Sequence, residues 1–288
     1  MASIRDLRLK IKSIKNIQHI TKAMKMVASA RLKKVQDRLE AARPYARKMA
    51  EVTLDLASRT PEIINPLLLP HEKNERVLIL VFTGDRGLAG GFHQKIADGA
   101  VQFSQKFKGH SEVSFYGVGS KGIHRLSVRH IELFKKFTDP VGGVTFEAAQ
   151  KLAEELIEFY LSKQFDQIFL YYAKFHSAMT QRPKAFQLLP IDPSKTRQRE
   201  ERGLFIYEPD QRQVLDGLLP RYITSEVFRA FLETETGELG AKMTAMSSAT
   251  DNAAELIERY SLEFNKIRQS QITTEIAEIV GGAGALES

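Results

Sequence analysis

The feature that most constrains this chain is a long apolar repeat at its N-terminus. Between Ile4 and Leu56 the apolar residues advance in steps of three and four, with a mean spacing of about 3.5, and the run contains no glycine and one proline, Pro44. This spacing predicts a helix that supercoils against a partner, and Pro44 should kink or relax it locally. The helix would be roughly 80 Å long, so part of it must project from the body or insert into something else. The repeat consists of Ile4, Leu7, Ile11, Ile14, Ile17, Ile20, Met24, Ala28, Leu32, Val35, Leu39, Ala42, Tyr45, Met49, Val52 and Leu56.

The charge of the chain is concentrated on the same helix. The formal net charge is +7, yet residues 1–50 alone hold 14 Lys/Arg against 3 Asp/Glu, so the remainder is net acidic. Contact with solvent is a sufficient explanation for the positive charge of a short helix. It is a poor explanation for a cationic face of this length. An acidic partner is the better interpretation, and nucleic acid, anionic lipid or an acidic protein surface would each serve.

The composition sets further limits. The absence of cysteine excludes disulfides, thiol catalysis and Cys-ligated zinc, and it fits a reducing cytosol. The longest apolar run, Val77 to Phe82, has the length of a strand and not of a membrane span, and the basic N-terminus lacks the hydrophobic core of a secretory signal.

The middle of the chain alternates strand and helix patterns. After a proline-containing linker, strands are predicted at 76–82, 112–119 and 165–175, with two more at 184–191 and 203–209 that are antiparallel or at an edge. Helices are predicted at 93–106, 120–126 and 145–163, and the first follows the glycine-rich turn TGDRGLAGGF. This alternation predicts a small α/β domain with a mainly parallel sheet.

A second long helix is predicted from Arg221 to Val280, a stretch without proline. Its Gly237 and Gly240 either weaken the helix or let another backbone approach closely. Both terminal helices carry apolar stripes that need cover, and the simplest solution pairs them as an antiparallel coiled coil. The predicted fold class is therefore α/β plus long α, with three segments: an N-terminal coiled-coil helix at 1–58, a central Rossmann-like α/β domain at 75–208 and a C-terminal coiled-coil helix at 210–288.

A glycine motif offers one candidate for small-molecule binding. GVGSKG, with Gly117, Gly119 and Gly122, has the glycine spacing of a dinucleotide-binding fingerprint between a strand and a helix. The acid that would hold the ribose would be Asp139, where no strand is predicted to end. A tight strand-to-helix turn is the favoured interpretation. The seven histidines show no zinc-helix spacing and no catalytic grouping is evident, so catalytic, cofactor-binding and metal-binding residues are all predicted to be absent.

Three strings carry a resemblance to a known family. SIKNIQHITKAMKMVASARLKK (Ser13 to Lys34), TGDRGLAGGF (Thr83 to Phe92) and MSSATDNAAELIERYSLEFNKIRQSQITTEIAEIVGGAGAL (Met246 to Leu286) closely resemble the gamma subunits of the rotary, F-type ATP synthases of bacteria. The resemblance covers the whole chain in order and length. The glycine turn departs from the usual family string at Ala89 and His93, and the regulatory cysteine insertion of the chloroplast form is absent, which excludes thiol control through this chain.

The resemblance implies a function and a location. The two long helices would form the central shaft inside a hexamer of alternating alpha and beta subunits, and the Rossmann-like domain would contact the epsilon subunit and the membrane ring of c subunits. The chain would be a non-catalytic rotor that couples proton flow to ATP synthesis, peripheral to the cytoplasmic face of the bacterial cell membrane. It would bind no cofactor, no small-molecule ligand and no nucleic acid.

The resemblance also implies which residues contact partners. Arg268 and Gln269 match the positions that hydrogen-bond a catch loop of the beta subunit, and an arginine offers a rigid fork for carboxylates. Met24 lies where the family places contacts between shaft and beta subunit, but it also falls on the apolar repeat and is equally a core residue. Lys22 and Lys25 flank Met24 on the basic face. The predicted partner contacts are Lys22, Met24, Lys25, Asp85, Arg86, Arg268 and Gln269, the pair Asp85 and Arg86 serving the central domain.

Two other functions stay open at this point. A nucleic-acid-binding coiled coil would use the basic helix, although no aromatic residue interleaves its charges before Tyr45. A nucleotide-dependent enzyme would use Gly117 to Gly122.

Overall fold

The computed structural model describes residues 4–60, 65–138, 144–195 and 207–286, and within them it contains five helices and five strands. The helices are α1 (Ile4–Arg59), α2 (Phe92–Ser104), α3 (Ser120–Val128), α4 (Phe146–Leu161) and α5 (Gln211–Leu286). The strands are β1 (Arg76–Phe82), β2 (Glu112–Val118), β3 (Leu133–Phe137), β4 (Gln167–Ser177) and β5 (Thr180–Leu189). Short 3₁₀ turns lie at Gln105–Phe107 and Pro193–Lys195.

The chain divides into two compact units. One consists of residues 1–28 and 243–288, and the other of residues 29–242. We call them the helical unit and the α/β unit.

The α/β unit is built on one sheet with the strand order β3-β2-β1-β4-β5. The first four strands are parallel, and β5 pairs antiparallel with β4. The central strand β1 is buried along almost its whole length, which a run of β-branched and aromatic residues without alternation predicts. The mainly parallel sheet is thus as the sequence predicts. The strand order, which reverses beside β1 as in Rossmann-like folds, comes from the structure alone.

Both faces of this sheet are covered by helices. Val77, Ile79 and Val81 of β1 pack on one side with α2 and α3. The other side of β1 packs with α4, with the end of α1 and with the beginning of α5. Helix α4 begins where expected, because the Thr145 side chain accepts a hydrogen bond from the Ala148 N–H at 3.1 Å.

The structure differs from the predicted elements in a few places. Strand β3 was not expected, because Lys135 and Lys136 give this edge strand a polar, exposed pattern that hides its extended structure. Helix α5 begins at Gln211, ten residues before the proline-free stretch that starts at Arg221, and it runs through Pro220. Helix α1 likewise continues past Pro44. The strand predicted at 203–209 lies largely outside the described residues, and Tyr207 to Pro209 are not in a strand.

Gly240 and Gly237 of α5 are sites of close approach within the α/β unit. A Cβ on Gly240 would lie 3.1 Å from the Ala178 Cα and carbonyl oxygen, and one on Gly237 would lie 3.0 Å from the Phe92 ring. The close approach of another backbone, one of the two predicted roles, is therefore the role of Gly240.

Candidate functional site

Within the helical unit, α1 and α5 run antiparallel. Arg8 lies over the Phe264 ring, Lys10 lies over the Tyr260 ring, and the Lys25 ammonium donates to the Ser247 hydroxyl at 2.9 Å. As the residue numbers rise from 8 to 25 on α1, those of their partners fall from 264 to 247 on α5. The predicted antiparallel pairing is confirmed, while the cation–π contacts that accompany it were not anticipated.

The seam of this helix pair differs from the predicted apolar stripe at its centre. Leu7 and Ala28 are buried as expected. Between them, Ile17 and Ile20 are 49% and 58% exposed, whereas Thr21 is only 8% exposed. The predicted core positions of the two isoleucines are wrong because the seam follows Thr21, whose hydroxyl pairs with that of Thr250 at 2.8 Å.

The consequence is an exposed apolar face on α1. Leu9, Ile17, Ile20 and Val27 are all exposed, and their spacing of eight, three and seven residues places them on one side of the helix. Half-buried Met24 lies in the same row. On α5, Leu262, Ile272, Ile276 and Ile279 are also exposed. Apolar faces of this extent mark surfaces that bind other proteins.

Basic side chains lie on the remaining surface of α1 in the helical unit. Lys22 is exposed. Lys25 is exposed as well, although its bond to Ser247 already ties it to α5. The exposed Lys and Arg residues of this segment are Arg5, Arg8, Lys10, Lys12, Lys15, Lys22 and Lys25. The segment therefore combines an apolar face with a cationic one.

Arg268 and Gln269 lie in a second part of the helical unit. Both side chains are exposed on α5. The Ser247 partner of Lys25 is 21 residues before Arg268 on the same helix, which corresponds to about 30 Å. The structure thus does not bring the predicted contacts on α1 and those on α5 into one site.

The third predicted pair, Asp85 and Arg86, lies in the glycine-rich turn of the α/β unit. The Asp85 carboxylate accepts a hydrogen bond from the Ser120 N–H at 2.6 Å, so it caps the N-terminus of α3. The Arg86 side chain is exposed, and its carbonyl oxygen lies 3.0 Å from Nε2 of His93. The pKa of His93 is lowered, and burial of its ring is the largest cause. Both side chains of the pair are exposed, and Asp85 in addition has a structural role.

The glycines of GVGSKG pack against this turn. A Cβ on Gly119, where φ is +88°, would lie 2.2 Å from the Thr83 carbonyl oxygen, and one on Gly122 would lie 2.4 Å from the Thr83 hydroxyl. The N–H groups of Lys121 and Gly122 donate to the Gly84 carbonyl and the Thr83 hydroxyl. These groups are the ones that would bind a pyrophosphate in a dinucleotide site. The geometry therefore favours the structural turn over the nucleotide site, while Asp139 lies outside the described residues.

A buried carboxyl that sequence reasoning missed lies against the same turn. A Cβ on Gly84 would lie 1.6 Å from Oε2 of Glu238, so the carboxyl group of Glu238 occupies the space that the glycine leaves free. Burial raises the pKa of Glu238 to about 7, and the neighbouring Lys242, Asp85, Arg86 and Glu235 modify that value in both directions. Nothing in the sequence distinguishes this residue from the exposed glutamates of a long helix.

Within the described ranges, no group of three or more His, Asp or Glu side chains could hold a metal ion. No helix in the same ranges combines the length and the apolar character needed to cross a membrane.

Known sequences match this chain along its whole length. A family model described as ATP synthase matches residues 3–286. The ATP synthase gamma chain of Desulfitobacterium hafniense (strain DSM 10664 / DCB-2) is 42% identical over 287 residues, which is 100% of both chains. That of Geotalea uraniireducens (strain Rf4) is 38% identical over 288 residues, again 100% of both.

Solved structures show the same fold. A chain in the central stalk and c-ring of Tetrahymena thermophila mitochondrial ATP synthase is similar, with a TM-score of 0.60 and 25% identity over 80% of this chain and 99% of that one. A chain in the rotor of Euglena gracilis mitochondrial ATP synthase has a TM-score of 0.64 at 18% identity, over 93% of this chain and 98% of that one, and supports the fold alone. From the family model and the full-length relatives, the chain belongs to the ATP synthase gamma chain family.

Proposed function

We propose that this chain is the central rotor shaft of a bacterial F-type ATP synthase, coupling ion flow through the membrane sector to ATP synthesis and hydrolysis on other subunits. The observation that carries the proposal is the antiparallel pair of long helices, seen in a chain that matches gamma chains along its entire length. Two paired helices resist twisting better than one, and resistance to twisting is what transmission of torque requires.

A shaft must also present different faces to the sites around it. The helical unit has an apolar face that contains Ile17 and Ile20 and a cationic face that contains Lys22. Each of three equivalent surrounding sites would then meet a different surface at any moment. A partner shifts between conformations only to the extent that the shaft binds them differently, so this asymmetry supplies the coupling.

Specific contacts with the hexamer follow from this role. Lys22, Met24 and Lys25 would contact the beta subunits, where lysines suit acidic loops. Arg268 and Gln269 would hydrogen-bond the catch loop of one beta subunit. Both residues are exposed on α5, and no ion pair of Arg268 occurs among the described side chains, which leaves its guanidinium available.

The α/β unit would bind the subunits that connect the rotor to the membrane sector. Its partners would be the epsilon subunit and the c-ring of the membrane sector, with Arg86 as one contact. The chain would then be a peripheral membrane protein on the cytoplasmic face of the bacterial cell membrane, and the catalytic sites of the complex would reside on the beta subunits.

The experiment that tests this function mixes the purified chain with alpha and beta subunits of the same organism. The chain alone should hydrolyse no ATP, and the mixture should hydrolyse ATP faster than alpha and beta subunits without it. Arg268→Ala with Gln269→Ala should lower ATP synthesis in membranes while the circular dichroism of the chain stays unchanged, and Lys266→Ala on the same exposed helix segment is the control. No effect of the chain on the mixture would overturn the proposal, and unchanged synthesis in the double variant would remove the catch role alone.

A nucleic-acid-binding coiled coil is the second candidate, supported by the basic face of α1. It requires retention on DNA with an affinity that falls steeply as salt rises. Lack of binding at low salt would exclude it.

A further inference from the structure

A cleft in the α/β unit carries more positive charge than its own acids neutralise. It has a volume of about 1130 Å³ and lies between α1, the end of β4 and α5. Five Lys and Arg side chains line it, against three glutamates. The cations are Arg43, Arg47, Lys48, Lys174 and Arg229, and the acids are Glu40, Glu51 and Glu233.

The acids of the cleft are engaged with other groups. Glu51 pairs with Lys48 at 3.2 Å, and Glu40 accepts a hydrogen bond from the Gln36 amide at 3.0 Å. The buried Glu233 accepts the Phe175 N–H at 2.6 Å. Among the cations, Arg229 is already paired with Glu226. Each carboxylate therefore has a partner that is not Arg43, Arg47 or Lys174.

Three cations of the cleft have no carboxylate partner among the described residues. In the ranges that the structure describes, no ion pair forms at Arg43, Arg47 or Lys174, although all three line one cleft. Arg43 and Arg47 are four residues apart on α1, and like charges at this spacing destabilise a helix. An arrangement of this kind is stabilised when an external anion enters the cleft.

A small apolar pocket adjoins the cleft and shares Arg43, Ala46 and Arg229 with it. Its volume is about 230 Å³, and apolar side chains such as Leu39, Phe228 and Leu232 form most of its wall. Small-molecule sites usually measure roughly 300–1,000 Å³, so this pocket suits one bulky side chain better than a whole ligand. The pocket and the cleft thus form one continuous surface with an apolar end and a cationic end.

The length of the cleft and the lining of the pocket indicate which kind of ligand could bind to both. The wall that α1 contributes runs from Glu40 to Glu51, a distance of about 16 Å along the helix. A single phosphate would contact only a part of it. A nucleic acid strand would satisfy the cations, but a base placed in the apolar pocket would leave the polar groups on its edges without hydrogen-bond partners. A peptide segment with several carboxylates and one bulky apolar side chain could pair with the cations of the cleft and also fill the apolar pocket.

We propose that the cleft and the pocket together are a docking surface for an acidic segment of a partner protein, anchored by one bulky apolar side chain. Arg43, Arg47 and Lys174 bind the carboxylates, and the apolar pocket holds the anchor, as the central residue of a protein interface is held. This surface does not depend on the rotor role, since the isolated chain carries it.

The test uses the full chain and a labelled synthetic helical peptide with glutamates on one face and one leucine among them, measured by fluorescence anisotropy at low salt. Arg43→Glu with Arg47→Glu should weaken binding by at least about tenfold. The matched control is Arg31→Glu with Lys34→Glu, which makes the same charge change at exposed positions of α1 outside the cleft and should alter binding by less than about twofold. If the control pair weakens binding as much as the cleft pair, the proposal is wrong.

The apolar anchor is tested separately. Ala42→Leu fills the pocket without changing any charge. It should weaken binding of the leucine peptide by at least about fivefold and leave a peptide with alanine at that place unaffected. Arg43→Gln with Arg47→Gln serves as a milder cleft variant if charge reversal unfolds the chain. The proposal is wrong if Ala42→Leu affects both peptides equally. It is also wrong if single-stranded DNA of the same charge binds more tightly than the peptide, or if no peptide binds at low salt.

Discussion

Thr21 of α1 and Thr250 of α5 face each other with their hydroxyl oxygens 2.8 Å apart. Each hydroxyl also contacts a carbonyl of its own helix, that of Gln18 for Thr21 and that of Met246 for Thr250. Two hydroxyl groups at the centre of an otherwise apolar seam can hydrogen-bond each other in only one register of the two helices. Thr21 and Thr250 therefore fix how far α1 and α5 are shifted along one another.

The first prediction concerns this pair. Thr21→Val should destabilise the helical unit by about 1 kcal/mol, because the cross-helix hydrogen bond is lost. Adding Thr250→Val should recover most of the loss, since two apolar side chains then face each other. The measurement is hydrogen exchange of the α1 amides in the helical unit. Thr273→Val is the control, because the exposed Thr273 hydroxyl bonds only within α5, to the Gln269 carbonyl. Additive effects of the two seam substitutions would contradict the pairing.

The second prediction compares two glycines of the α/β unit. Gly119→Ala should cost more than about 3 kcal/mol, because φ is +88° and the added Cβ would overlap the Thr83 carbonyl oxygen. Gly217→Ala should instead stabilise the unit by about 0.5–1 kcal/mol, because Gly217 lies in α5 with nothing within 4 Å of an added Cβ. Urea unfolding followed by tyrosine fluorescence measures both. A tolerated Gly119→Ala would mean that the turn is not packed as described.

The third prediction concerns the pH dependence that Glu238 introduces. Its pKa is raised from 4.5 to about 7 by burial, so between these values the folded chain holds a proton that the unfolded chain has released. The free energy of unfolding should therefore fall as pH rises from about 4.5 to 7, by up to about 3 kcal/mol from this group. Glu238→Gln removes this contribution, so the variant should gain stability relative to wild type as pH rises.

The measurement is the difference in the free energy of unfolding between Glu238→Gln and wild type at pH 5 and pH 8. Taking the difference cancels the contributions of other titrating groups. Glu132→Gln, at an exposed position of the same unit, is the matched control. A difference that is the same at both pH values would show that Glu238 does not titrate in this range.

Much of the fold follows from the sequence for identifiable reasons. Strand β1 is an unbroken β-branched and aromatic run, and α4 has both an apolar face and the Thr145 cap. These local patterns agree with the tertiary structure. Strand β3 does not show such a pattern, because an edge strand with two exposed lysines gains its structure from pairing with β2.

The site was less predictable than the fold. The repeat at about 3.5 residues places Ile17 and Ile20 in the seam, and only the partner helix reveals that Thr21 takes that place. Glu238 was missed for a similar reason, since its burial depends on the Gly84 turn, which lies far away in the sequence. Periodicity within one helix cannot specify which side chain a distant segment will accept.

The central claim, that this chain turns as a rotor, is tested most directly by watching it move. A gold rod attached to an exposed residue of the α/β unit, in complexes whose alpha and beta subunits are fixed to a surface, reports the orientation of the chain during ATP hydrolysis. The account predicts rotation in one direction that stops when ATP is withdrawn. ATP hydrolysis that depends on the chain while the rod keeps a fixed orientation would contradict it.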